Sequence, residues 1–520
     1  MTTPLQCCTD KDTQEILNMT VLDDFRRLTG TIFLGGQTRS SLSTEALDVI
    51  DPATENKLGE IAETTETEID EAIAIGHDAQ KKWWAMSGLE RSEVMHEVAN
   101  RMHHMRSKLA ESMTREMGKP YKESADEVEW SISAIRYNAE IGRSDAGRVM
   151  GNEIRGHLNY TLKVPLGVVV SIQTFNYPLT LLAWQSGAAL ASGNAVICKP
   201  SEYTTFTSLL FAEAYQPLPE GLFQIVTGAG NAGKYLVEHK NTNMVAFTGS
   251  VPTGQAIGET CGRMLKRSLI ETSGNDPFVI MPSADLDITA RAAAFSAFMN
   301  CGQICVSAER FYVHEDIHDE FVAKLIENAK GIRIGNGLGK VDMGPMVAEK
   351  ERARYEAVLE NAIGQGANIM LGGGRPTQLN QGWFVEPTVL SDCHQQMDIF
   401  NNESFGPVAP ICKVTSFEEG IELANDSRFG LGANIYTRDL REAVRATEQL
   451  EAGMVWVNAP LLDNDAGPFG GTKMSGQGRQ LGPEGMETFR QTKFVMIDPD
   501  CTDTQDGWWF PYKDDESFSG

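Results

Sequence analysis

The chain is poor in basic residues: 45 Lys and Arg stand against 71 Asp and Glu, a formal net charge of −26 at pH 7. That balance excludes nucleic acid and anionic membrane as expected partners, because either requires a basic face. Long apolar runs are absent too, and without about 20 consecutive apolar residues no membrane-spanning helix is expected. The opening residues MTTPLQCCTDKD are polar and acidic, with neither the apolar core of a secretory signal nor the arginines of a transit peptide, so the expected location is cytoplasmic. The nine cysteines are odd in number and lack framework spacing, which fits a reducing compartment rather than a disulfide scaffold. Cys7 and Cys8 are adjacent, and CGQIC ending at Cys305 is a C-x₃-C, but no second pair or histidine group completes a zinc site. No metal is expected. Low-complexity linkers and internal repeats are also missing.

What is present is enough apolar residue, 41% over 520 positions, for two or three domains. Residues 1–30 have few periodic apolar positions and predict an extended or partly ordered arm. TIFLGG, ALDVIDP and KLGEIA predict strands between Thr31 and Ala62. From Glu66 to Ile141 the spacing turns helical, with Ile69, Ile73, Ala79 and Trp83, then Val94, Val98, Met102, Met105 and Leu109. His96, His103 and His104 on this stretch, and Trp83, Trp84 and Trp130, read as ordinary helix-surface and core residues. VVVSIQT, NAVICKPS, LFQIVTG, MVAFTGS and SLIETSG then alternate with helical segments, the pattern of a doubly wound parallel sheet. Ligands of such sheets bind beyond the carboxyl ends of the strands, where Asn176, Lys199, Thr248, Gly249 and Glu271 fall. The pattern restarts at PFVIM and runs to GMVWVNA, predicting a second α/β domain. WWFPY, in the acidic tail, reads as an anchor packing on a neighbour.

Four stretches carry the chemistry: SIQTFNYP at 171–178, LIETSGNDP at 269–277, FMNCGQICVSAER at 298–310 and NESFGP at 402–407. A thiol attacks only as thiolate, so Cys305 as a nucleophile calls for surroundings that lower its pKa, such as backbone N–H groups near a helix end. In this order, and together with CKPSE and FTGS, the stretches resemble the NAD(P)-dependent aldehyde dehydrogenase superfamily, from about Gly35 to Asp498. The resemblance implies an α/β aldehyde dehydrogenase-like fold. Its parts would be a Rossmann-type NAD-binding domain (31–155 and 167–273), a catalytic domain (274–485), a small oligomerisation sheet (156–166 and 486–500) and a tail (501–520). A homodimer or homotetramer follows from that sheet.

For the cofactor, GAGNAG at 228–233 matches G-x-G-x-x-G between a strand and a helix, but the acidic ribose ligand about 20 residues on is missing. The resemblance instead implies pyrophosphate at Phe247 to Gly254. There Thr248 and Gly249 allow close backbone approach, Ser250 caps the helix and meets phosphate, and Gly254 and Thr272 lie alongside. Lys199 and Glu202 would face the adenosine ribose, and a carboxylate there repels a 2′-phosphate, so NAD is expected over NADP. Glu403 and Phe405 would meet the nicotinamide ribose and ring.

The implied chemistry is oxidation of an aldehyde to its acid. Cys305 adds to the carbonyl, the Asn176 amide and the Cys305 N–H hold the oxyanion, and Glu271 is the base for thioester hydrolysis. The chain departs from the family's E-L-G-G-K at Ser273 and Asn275, has Phe175 for a tryptophan, and carries Gln185 and Gln480 where relatives place a lysine and a glutamate. A CoA-acylating dehydrogenase and a cysteine esterase are the rival readings, weakened respectively by Glu271 and by the lack of a histidine in the motif blocks. Tyr177, Trp184, Ile304, Val306, Asp463 and Phe469 are the expected substrate-pocket residues. The aromatic box looks incomplete, and Asp463 with Asp465 favours neutral or cationic aldehydes.

Overall fold

Five short runs of β-branched and apolar residues become parallel or near-central strands because both of their faces are covered. In the computed structural model, which describes residues 20–144, 146–501 and 510, Val168–Ile172, Ala195–Lys199, Phe223–Ile225, Met244–Thr248 and Arg267–Glu271 share one sheet. Ala195–Lys199 and Met244–Thr248 are buried at every position, as a strand covered on both faces must be. The register sets Ile172 beside Lys199 and Thr248 beside Glu271, so the carboxyl ends of neighbouring strands finish level. Thr31–Leu34 and Gln37–Ser40 close one antiparallel edge. Gly476–Gln477, from the far end of the chain, closes the other beside Glu271.

Helices Glu66–Trp84 and Gly88–Met117 each open on a capping box, Thr65 with Glu68 and Ser87 with Glu90. The second stops at Gly118, whose φ of 92° suits glycine, and a Cβ there would lie 2.7 Å from Pro345. Lys119 follows at once and turns into the core.

Residues 21–28 differ from the predicted arm: Val21–Leu28 is a helix, with Val21, Phe25 and Leu28 buried and the Phe25 ring stacked on Phe206 at 5.0 Å. Eight residues with three inward apolar positions are too short a pattern to stand out in the sequence. Cys7 and Cys8 and, but for Phe510, WWFPY lie outside the described residues. Of the tryptophans read as core, only Trp83 is buried; Trp84 and Trp130 are 40% and 44% exposed. Trp84 carries the Arg91 guanidinium on its ring at 5.0 Å. His96 pairs with Glu140 at 2.6 Å on the surface.

The second sheet runs Asn368–Leu371, Thr388–Ser391, Val408–Val414, Ala308–His314, Asp276–Ile280, Gly432–Tyr436 and Met454–Val457 in spatial order, and is parallel apart from its first pair. Helix Leu286–Phe298 leads from it into the Cys305 loop. A third, antiparallel sheet pairs Leu158–Pro165 with Arg490–Ile497, with Val149–Met150 beside them. Among the described residues, no helix is long and apolar enough to cross a membrane.

Candidate active site

The Cys305 loop is built on strained backbone. After helix Leu286–Phe298, Asn300, Cys301 and Gly302 take φ values of 51°, 57° and 69°, a left-handed run that non-glycine residues rarely adopt. It is held from outside: Glu123 accepts the Asn300 N–H at 3.1 Å, and the Asn300 amide donates to the carbonyls of Asn176 and Gln303. Close packing fixes the rest. A Cβ on Gly302 would lie 2.3 Å from the Gly406 carbonyl, and one on Gly274 would lie 2.0 Å from the Cys305 carbonyl oxygen. The stretches around 274, 305 and 406 therefore meet at glycines.

Cys305 is half-buried at a cavity of about 330 Å³. Its thiol meets the Glu271 carboxyl, which is buried at the end of its strand and takes a hydrogen bond on Oε2 from the Gln480 amide. Burial lifts Glu271 to about 7, against the lowering effect of those two hydrogen bonds. The thiol departs from expectation. Burial, and then the Glu271 charge, push Cys305 well above the ordinary range, with the carboxyls of Asp276 and Glu403 adding to it.

Asn176 is buried between the strand end and helix Pro178–Ala191, and its side-chain Oδ1 has no hydrogen-bond partner among the described residues. Its main chain is fixed instead: Lys119 donates to the Asn176 carbonyl at 2.6 Å, pairs with Glu127, and lies 4.0 Å over the Tyr177 ring. Glu127 in turn accepts the Leu179 N–H at 2.9 Å and the Thr180 N–H at 3.2 Å, at the start of that helix. Lys119 and Glu127 were not picked out from the sequence. A lone charged residue in a helix pattern signals a solvated face.

All six expected pocket residues line the cavity: Tyr177, Trp184, Ile304, Val306, Asp463 and Phe469. Trp184 packs on Phe469 at 4.9 Å. Trp130, 6.4 Å from the Tyr177 ring, also lines the cavity, which corrects its reading as core. Asp465 accepts the Ser133 hydroxyl, and Asp463 beside it is exposed. No lysine, arginine or histidine lines this cavity.

The expected cofactor residues fall at the ends of the first sheet's strands, on the helix after Ser250 and on the 402–407 stretch. Buried Lys199 and half-buried Glu202 stand 3.9 Å apart at the end of their strand. Gly249 donates its N–H to the Glu271 carbonyl at 3.1 Å, just before helix Val251–Met264. Ser250 is the N-cap of that helix but makes no side-chain cap bond; its hydroxyl pairs with Thr253 at 3.0 Å instead. Gly254 lies one turn in, where a Cβ would strike the Thr272 methyl at 2.6 Å, and the Thr272 hydroxyl donates to the Met474 carbonyl. These two residues join the helix to the sheet, and Thr248 accepts from the Gln185 amide at 3.3 Å. Phe405, at φ 47°, sets its ring edge-on to Phe175 at 5.8 Å.

Glu403 is raised to about 8 by burial and by the charge of Glu309, and accepts hydrogen bonds from the Ser273 hydroxyl and from the Gly274 N–H at 3.1 Å. Ser273, in place of the family glycine, thus serves Glu403. Glu309 escaped the sequence analysis. It accepts the Ser404 and Phe405 N–H groups, each at 2.7 Å, and the Asn275 amide at 3.0 Å, so a buried carboxylate organises the loop that presents Glu403.

Residues 38–495 match the aldehyde dehydrogenase family. The chain is 34% identical to the 3,6-anhydro-alpha-L-galactose dehydrogenase of Vibrio sp. over 90% of its own length and 99% of that protein's. It is also 34% identical to the NADP(+) succinate-semialdehyde dehydrogenase of Escherichia coli, over 92% and 99%. Among solved structures, the betaine aldehyde dehydrogenase of Staphylococcus aureus in complex with NAD+ superposes with a TM-score of 0.90 at 30% identity, covering 93% of this chain and 97% of that one.

Proposed function

Given that the chain belongs to the aldehyde dehydrogenase family, we propose that it oxidises a neutral or cationic aldehyde to its carboxylic acid with NAD, through a thiohemiacetal and then a thioester on Cys305. The observation that carries this reading is the contact of the Cys305 thiol with the Glu271 carboxyl at a cavity with aromatic walls.

Glu271, near 7, is poised to take the thiol proton, so the thiolate forms as it attacks rather than standing free. The sulfur adds to the aldehyde carbon, and the new oxyanion lies within the donor set of the Asn176 amide and the Cys305 N–H. The tetrahedral carbon then gives up its hydride, for which NAD, when bound, would supply the acceptor. The donor set suits that cofactor: a lysine–carboxylate pair for a ribose diol, a helix N-terminus whose cap side chain bonds no main-chain N–H for phosphate, and half-buried Glu403 for a second ribose. Glu271 as carboxylate then takes a proton from water as it attacks the thioester, releasing the acid and the thiolate. Gln480 steadies Glu271 but cannot accept a proton from it, so the proton leaves through solvent in the cavity.

Trp130, Tyr177, Trp184 and Phe469 line the cavity with aromatic surface suited to a cation, and Asp463 and Asp465 disfavour an anionic tail. The NAD+-bound structural neighbour is a betaine aldehyde dehydrogenase, which is consistent with that choice. NADH formation with a panel of aldehydes, with and without CoA, tests the proposal. Free acid and a rate indifferent to CoA are expected; a requirement for CoA would favour the acylating reading, and hydrolysis of esters without NADH the esterase.

A further inference from the structure

The glycine-rich turn at 228–233 has the parts of a phosphate cradle: strand Phe223–Ile225, a turn, and helix Gly230–Glu238. An anion already sits in it. Glu63 accepts the Ala229 N–H at 2.7 Å and the Ala232 N–H at 3.3 Å, and a Cβ on Gly228 would lie 2.7 Å from its carboxylate oxygen. Its position is fixed by the threonines beside it. Thr64 donates its N–H to the Thr227 carbonyl at 3.1 Å, the Thr227 N–H donates to the Thr64 hydroxyl at 2.9 Å, and the Thr227 hydroxyl donates to the Ala62 carbonyl at 2.7 Å.

This carboxylate stands with the pair at the end of strand Ala195–Lys199. A Cβ on Gly233 would touch the Lys199 stem at 3.8 Å, and the Lys199 ammonium feels both Glu202, 3.9 Å away, and Glu63. One buried cation therefore lies in the field of two carboxylates, one of which covers the N-terminus of the neighbouring helix. A 2′-phosphate needs that same cation and those same N–H groups.

We propose that Glu63 is a second specificity-determining residue for the cofactor: it occupies the helix N-terminus and shares Lys199, and so denies a ribose 2′-phosphate both of its natural contacts. The inference rests on the reading that Lys199 and Glu202 face the adenosine ribose. Glu202 repels the phosphate from the diol side, and Glu63 closes the cradle behind it. The turn thus keeps the shape of a phosphate loop while serving an internal carboxylate.

The test compares wild-type enzyme with Glu63→Gln, Glu202→Gln and the double variant, measuring KM and kcat for NAD and NADP and inhibition by 2′,5′-ADP against 5′-AMP. Gln at 63 keeps an oxygen for the Ala229 N–H but drops the charge. Glu63→Gln should lower the KM for NADP and the inhibition constant of 2′,5′-ADP by about tenfold, equivalent to roughly 1.4 kcal/mol. The constants for NAD and 5′-AMP should move less than about threefold, and the double variant should exceed either single one. A turn merely loosened by the substitution would weaken all four ligands together, and that result overturns the proposal. So does an unchanged 2′,5′-ADP constant in Glu63→Gln when Glu202→Gln has gained NADP. If neither variant changes the NADP constants, the ribose assignment itself fails and takes this inference with it.

Discussion

Lys119 and Asn176 are joined by a hydrogen bond of 2.6 Å from the lysine ammonium to the asparagine main-chain carbonyl. The ammonium is fully buried, paired with Glu127 and stacked over Tyr177, so one cation fixes the main chain at Asn176, a pocket wall and a helix start together.

Breaking that pair should cost more than its net worth, because the partner charge stays buried. Lys119→Met should lose about 3–5 kcal/mol of stability, and Lys119→Met with Glu127→Gln should regain part of it. Thermal unfolding reads the stability, and single-turnover NADH formation reads the oxyanion amide. Single-turnover hydride transfer should be slowed in the double variant, and an unchanged rate would confine Lys119 to a structural role.

Glu271 as base predicts a pH profile. The group works as carboxylate, so deacylation should rise as pH climbs through about 7 and fall off below it. The Gln480 hydrogen bond holds that value down, so Gln480→Leu should move the inflection to higher pH. Glu271→Gln should give a burst of NADH followed by turnover reduced by about 100-fold or more. Steady-state kinetics from pH 5.5 to 9 would check both, and wild-type turnover in Glu271→Gln would place the base elsewhere.

Substrate choice should follow the cavity mouth. Asp463→Asn should raise KM for a trimethylammonium aldehyde while barely moving that of a neutral aldehyde of similar size. Trp130→Ala should raise the cation's KM by about fivefold, near the 1 kcal/mol of one cation–π contact. Parallel kinetics with the two aldehydes would show it, and equal effects on both would deny a cation site.

Much of this was legible because the relevant patterns are local. Apolar runs broken by glycine give the parallel strands, and the level strand ends place Asn176, Lys199 and Glu271 near one another without any contact being known. What stayed hidden depends on pairing across the fold. Trp130 sits on a helix whose apolar spacing says only which face is inward. Glu309 and Glu63 act on main-chain N–H groups 95 and 166 residues away. Gly476–Gln477 returns to the first sheet as a two-residue edge, below any strand signal. The thiol's raised pKa was missed for a related reason, since burial acts on Cys305, and the carboxyls of Glu271 and Asp276 from one stretch and Glu403 from another converge on it, only in the folded chain.

The central claim is that Cys305, and not its neighbour Cys301, carries the covalent step. Cys301 is buried with its sulfur 3.6 Å from that of Met346, whereas Cys305 lines the cavity and lies against the Glu271 carboxyl. Mass spectrometry of enzyme quenched during turnover, with Glu271→Gln used to accumulate the thioester, locates the acyl group directly. The account predicts the added mass on the peptide carrying Cys305, loss of both adduct and NADH burst in Cys305→Ala with NAD binding retained, and an intact burst in Cys301→Ala. An acyl group on Cys301, or full activity in Cys305→Ala, would contradict it.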